Sequence, residues 1–287
     1  MTERSLEVLV GNGTFYEGPR WHEGRWWVSD FYRHTVFAIT TDGAAEAVLR
    51  VDQQPSGLGW RPDGTMLVIS MKDRRLLQRT TSGAVEEVAD LSGLASGHLN
   101  DMVVDQQGRA WIGNFGFDLM AGESPTPANL IRVDPDGTAA VAADDLQFPN
   151  GSVVTPDGRT LIVGESFASR YTAFTIADDG SLVDRRVWAH MTDPDVAPDG
   201  CALDAEHHIW AADAFGNRCV RVAEGGAIVD EVRTPDGLGV FACMLGGEDG
   251  RTLLMCCAPG FQEKERASAD DARLLTVTVD VPHAGCP

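Results

Sequence analysis

Glu17, Asn100, Asn150 and Asp199 each head a short run of strand-forming residues, and three of the four stand directly before a glycine. Their side chains offer carboxylate or carboxamide oxygen, with no C-x-x-C spacing elsewhere in the chain. Hard oxygen donors of this kind suit Ca²⁺, Mg²⁺ or Mn²⁺, and Zn²⁺ accepts carboxylates as well. Glu17 and Asp199 would repel each other if brought together, and a cation between them removes that cost. Taken singly, Asn-Gly and Asp-Gly are ordinary turn formers. What argues for chemistry is the recurrence of such residues at equivalent points of a repeat.

That repeat has six copies: EGPRWHEGRWWVSD from Glu17, SGLGWRPDGTMLVIS from Ser56, NDMVVDQQGRAWIGN from Asn100, NGSVVTPDGRTLIVGE from Asn150, DGCALDAEHHIWAAD from Asp199 and ACMLGGEDGRTLLMCC from Ala242. Successive copies begin 39, 44, 50, 49 and 43 residues apart. Each reads as strand, glycine turn, strand, and further strand pairs such as NLIRVDPDGTAAVAAD fill the gaps. A period of about 40–50 residues with strand content marks a β-propeller with one four-stranded blade per copy. The expected fold is all-β: a six-bladed β-propeller with a central channel, one domain over residues 1–287. One or both of the spare segments LEVLV and LLTVTVDV are expected to complete a blade and close the ring. First strands run nearest the channel and share one direction. The ring at one mouth therefore reads Glu17, Ser56, Asn100, Asn150, Asp199, Ala242.

The formal net charge of −20 argues against nucleic acid and anionic membranes as partners. With only Lys72 and Lys264, Schiff-base chemistry has few candidates. The start MTERSLEVLV has no leader pattern, and no apolar stretch reaches membrane length. Cys201, Cys219, Cys243, Cys256, Cys257 and Cys286 lie mostly in apparent strands, and a cytoplasmic, reduced protein is expected. No G-x-S-x-G, H-E-x-x-H or Walker pattern occurs. The run DPDVAPDG at 193–200 lacks calcium-loop spacing and reads as the turn delivering Asp199. His207-His208 read as turn residues at the far mouth.

Loops that follow each second strand must overhang the ring. They bring Phe31, Tyr32, Phe115, Phe117, Phe167, Phe215 and Phe261 to one end of the molecule. Packing of loops accounts for most of these, yet so many aromatics beside a polar ring suggest an apolar wall and a substrate of low polarity. The 114–129 loop is the expected lid.

YEGPRWHEGRWWVSD, HLNDMVVDQQGRAWIGN, FPNGSVVTPDGRTLIVGES, PDGCALDAEHHIWAAD and VFACMLGGEDGRTLLMCC together resemble the senescence-marker protein/gluconolactonase (regucalcin-like) family over essentially the whole chain. The resemblance implies a six-bladed propeller with one divalent metal at the channel mouth and lactone hydrolysis there. Position by position it implies Glu17, Asn150 and Asp199 as metal ligands. Asn100 matches a residue that contacts substrate or a metal-bound water, and Asp101 follows it as in the family. His98 stands where several sugar-lactone members have Arg, and Asp118 where some have Glu. Both departures fall on residues that would touch substrate hydroxyls.

The expected function is hydrolysis of a lactone or related ester, with one divalent ion, Ca²⁺ first and Zn²⁺, Mn²⁺ or Mg²⁺ also compatible. Asp199 is the first candidate for general base and Asp101 the second. Asn100 and His98 would orient substrate or water, with Asp118, Phe117 and Phe167 as further substrate contacts. The alternative is a non-catalytic metal-binding or ligand-sensing propeller. A strictosidine-synthase-like activity shares the fold but lacks the Glu/Asn/Asp set.

Overall fold

The computed structural model describes residues 4–80, 82–191 and 195–285; Cys286, Asp193 and Pro194 fall outside them. Six four-stranded antiparallel sheets form the blades of a β-propeller. In five blades, order in space follows order in the chain. The sixth is built from Gly239–Gly246, Thr252–Ala258 and Ala272–Thr278, with the N-terminal strand Glu7–Gly13 paired on its outer edge. Both spare segments therefore close the ring, and the last blade gains its fourth strand from the opposite end of the chain. The six inner strands Tyr16–His22, Pro55–Trp60, Leu99–Val104, Pro149–Val154, Pro198–Leu203 and Gly239–Gly246 touch their neighbours in a closed circuit around the channel.

Burial follows position in the blade. Strands sandwiched between neighbouring blades, such as Met66–Ser70, Ala110–Asn114 and Ile209–Asp213, are buried throughout. Outer strands such as Val85–Asp90 and Leu182–His190 are mostly exposed. Trp26, Trp111 and Trp210 fill the space between blades from three second strands. Turn chemistry repeats as well. The carboxylates of Asp63, Asp136, Asp157 and Asp249 each accept the backbone N–H two residues on, at 2.9–3.0 Å, beside a left-handed glycine.

Every inner strand carries a register irregularity at its channel end, between Glu17 and Arg20, Pro55 and Leu58, Leu99 and Met102, Pro149 and Ser152, Pro198 and Cys201, and Val240 and Ala242. A β-bulge re-aims a side chain that regular pairing would hold in the sheet. The repetition also corrects the sixth ring position. Val240 pairs with Cys257 and Ala242 with Cys256, which leaves Phe241 in the place that Asn150 holds between the Pro149–Glu165 and Ser152–Val163 pairs. The ring thus ends in Phe241, not Ala242. The last hairpin turns one residue later than the others, so alignment on its glycine slides the position by one.

The glycines after Glu17, Ser56, Asn150 and Asp199 have a steric reason. A Cβ on Gly151 would lie 2.4 Å from the Asp199 carbonyl oxygen, and one on Gly200 would lie 2.5 Å from Ala242 Cβ. Gly18 meets Ser56 and Gly57 in the same way, and Gly57 meets Asp101 and Met102. Inner strands converge so tightly at this mouth that a side chain there has no room.

Candidate active site at the channel mouth

Four of the ring residues, Glu17, Asn100, Asn150 and Asp199, line a single pocket. Phe241 joins them on the wall, while Ser56 does not reach it and is buried with its carbonyl accepting the Ser29 hydroxyl at 2.6 Å. Few protein partners neutralise the two carboxylates. Glu17 Oε2 accepts the Gly18 N–H at 3.0 Å. Asn150 Nδ2 donates to Ser166 Oγ at 3.2 Å, and Ser166 Oγ donates to the Pro198 carbonyl at 2.6 Å, which ties the Asn150 amide to the strand that carries Asp199. Asn100 Nδ2 is buried and has no hydrogen-bond partner among the described residues.

Loss of water drives the electrostatics. Burial pushes the Glu17 carboxyl well above its ordinary value, and the neighbouring charge of Asp199 adds to the shift. Burial pushes Asp199 up to about 8, with Asp101 adding and the Asn150 side chain opposing. Among the described residues no three His, Cys, Asp or Glu side chains cluster as a metal site. The ring offers instead two carboxylates and two carboxamides. Hard oxygen donors short of compensating charge, beside an orphaned amide, fit one hard divalent cation.

The walls are aromatic and come from two tiers. Residues just past the second strands, Phe31, Tyr32, Phe115, Phe167 and Phe215, overhang the ring as expected, and Phe261 joins from the last loop. A second tier precedes each ring residue by two positions; of its members Phe15, Phe148 and Ala197 line the pocket, whereas Gln54, His98 and Gly239 do not. Backbone bonds join the tiers, from Phe31 N to Phe15 O at 2.9 Å, Phe115 N to His98 O at 2.9 Å and Ser166 N to Phe148 O at 3.2 Å. Leu119 and Met120 of the 114–129 loop also reach the pocket.

Residues 15–258 match the family described as SMP-30/Gluconolactonase/LRE-like region. The chain belongs to that family. It is 25% identical over 246 residues to 6-deoxy-6-sulfogluconolactonase of Pseudomonas putida, covering 85% of this chain and 79% of the relative. In fold it is similar to luciferin-regenerating enzyme, with a TM-score of 0.83, 19% identity and 98% and 97% of the two chains covered. It is similar also to the calcium-binding protein regucalcin of Agrobacterium tumefaciens, with a TM-score of 0.80, 20% identity and 98% and 95% covered. Named lactonases among the relatives support lactone hydrolysis for this SMP-30/gluconolactonase chain. Among its described residues, no helix is long and apolar enough to cross a membrane.

The remaining candidates in this family member sit away from the pocket floor. Asp101 Oδ1 accepts from Arg20 at 2.7 Å and from its neighbour's backbone, Met102 N, at 2.8 Å; Asp101 and Arg20 are both buried, and neither lines the pocket. His98 packs its ring 5.9 Å from Phe115, and burial lowers its pKa although Asp118 favours the charged form. Asp118 is exposed and accepts the Ala121 N–H within its own loop. Phe117 is buried behind the wall, 6.0 Å from Phe148 and 5.9 Å from Phe167. Phe15, Phe148, Phe241, Ser166 and Arg20 were not singled out from the sequence. The signal for the first two is an aromatic two residues before a ring position.

Proposed function

We propose that this chain hydrolyses a lactone or related ester with the help of one divalent ion, on a substrate less polar than a sugar lactone. The observation that carries the reading is the convergence of Glu17, Asn100, Asn150 and Asp199 on one pocket, two of them carboxylates short of compensating charge. Glu17, Asn150 and Asp199 would hold the ion, Ca²⁺ being preferred for an all-oxygen set. When bound, the ion supplies Lewis-acid polarisation of the substrate carbonyl. Asn100, with a free amide hydrogen bond to give, orients the carbonyl or the attacking water. Asp199 takes the water's proton and returns one to the leaving oxygen. Asp101, neutralised by Arg20, holds the charge balance beneath the ring rather than acting as base.

The carboxylate product meets a pocket wall without Arg, Lys or His among the described residues, and this favours its release. The five described cysteines are free and buried, in keeping with the cytoplasmic setting we propose.

Proton release at constant pH from a panel of sugar, alkyl and aromatic lactones tests the reading, after chelation and again with each ion restored. Chelation should abolish turnover and one ion should restore it. Turnover that survives chelation unchanged would rule out the role given to the ion. No turnover on any lactone would favour the ligand-sensing alternative.

A further inference from the structure

The aromatic wall is not a uniform lining. It divides into two banks that flank the polar floor, each held by its own ring contacts. One bank joins Phe15 to Phe31 at 5.3 Å and to Phe241 at 4.9 Å, with Phe241 reaching Phe261 at 6.3 Å. The other stacks Phe115 on Phe148 at 4.7 Å and 19°, and Phe148 against Phe167 at 4.8 Å and 32°.

The rim continues the pattern. Phe215 is 68% exposed, Phe167 43% and Met120 39%, and all three line this pocket. The other exposed large apolar side chains among the described residues are valines. The most exposed aromatics are thus gathered at the mouth of the site.

Polar recognition on these walls is sparse. Tyr32 Oη is already spent as a donor to the Phe261 carbonyl. The hydroxyls of a sugar lactone would leave their water for surfaces that cannot hydrogen-bond them, which opposes binding. An anionic substituent lying along the walls, away from the ion, would lose its water with no cationic side chain there to compensate it. A flat apolar group suffers neither penalty and gains offset or edge contacts with both banks.

We propose that the two banks form an aryl-recognition slot, so that the substrate is a neutral lactone or ester bearing an aromatic ring. The ring lies between the banks while the ester carbonyl reaches the floor. This rests on the hydrolase reading of the floor. In the reaction the water oxygen bonds to the acyl carbon, the acyl C–O bond breaks, and the leaving oxygen takes a proton from the water. A lactone gives one hydroxy acid and an open ester gives an acid and an alcohol; in either case the acid ionises, releasing one proton at neutral pH.

The test compares dihydrocoumarin, δ-valerolactone and glucono-δ-lactone on the ion-loaded protein, in the native chain and in Phe167→Ala and Phe215→Ala, two exposed positions whose truncation leaves the packed core intact. The expected result is a kcat/KM for dihydrocoumarin at least about tenfold above that for either other lactone. The aryl-to-alkyl ratio should fall about fivefold or more in Phe167→Ala. If δ-valerolactone is opened as fast as dihydrocoumarin and the ratio is unmoved by both variants, the slot is overturned and the hydrolase reading stands. If no lactone is opened, calorimetric binding of dihydrocoumarin decides. Saturable binding weakened by Phe167→Ala keeps the slot and discards the hydrolase reading, and no binding discards both.

Discussion

At the scale of single residues, two buried carboxylates that lack compensating cations dominate the site. Burial raises both, so the folded protein without an ion holds protons that the unfolded chain gives up. Stability from this source is complete below the ordinary carboxylate range and is lost as pH rises through about 8, the Asp199 value. The divalent ion proposed for this site would replace those protons. Calcium should therefore raise Tm little at pH 5 and several degrees more at pH 8, as differential scanning calorimetry can read; an increment that shrinks with rising pH would contradict this. Asp199→Asn keeps the shape of the side chain and removes its charge and basicity. Lactone turnover should drop by about 100-fold or more while the circular dichroism spectrum stays native. Arg20 makes the opposite case. Its guanidinium donates at 2.7 Å to Asp101, and both side chains are almost fully buried. Arg20→Met strands a buried carboxylate and should destabilise the fold by about 3 kcal/mol in urea titration; unchanged stability would show that Asp101 does not depend on Arg20 for its charge balance.

Blades and their inner strands explain what could be read in advance. The ring residues stand at the heads of self-similar runs, so Glu17, Asn100, Asn150 and Asp199 are legible from spacing alone. Phe241 is not, because the last hairpin turns late, and only strand pairing reveals the shift. The wall is half legible. Phe31, Phe115 and Phe167 follow strands that end visibly, whereas Phe15 and Phe148 acquire meaning only once a bulge is seen to aim the residue two places on. Asp101 looks like an available base in the sequence, since nothing in the spacing shows that Arg20 of another blade reaches it. The glycines belong to the same scale. Gly151→Ala drives a methyl group to 2.4 Å from the Asp199 carbonyl oxygen. The expected cost is about 1–3 kcal/mol, with weaker ion binding because the strand bearing Asp199 must shift. An unchanged Tm would show that the inner strands yield more easily than their packing suggests.

Over the whole molecule, acidity and closure are separate matters. Part of the negative charge is turn chemistry: Asp63, Asp136, Asp157 and Asp179 each cap a hairpin, and hydrogen bonds from the turn hold their carboxyls below the ordinary range. The charge therefore says little about the ligand beyond disfavouring anions. Closure depends on Glu7–Gly13 pairing with Ala272–Thr278. A chain beginning at Thr14 would expose that strand as a free edge, and it should aggregate or melt more than about 5 °C below the full chain. An equally stable monomer would mean that the ring closes without this strand. The proposed function hangs on the ion, and calorimetric titration of calcium into the chelated protein reads it directly. The account predicts saturable binding of one ion per chain, lost in Glu17→Gln/Asp199→Asn although the fold is retained. No saturable binding of any divalent ion, or the same binding in that double variant, would contradict it.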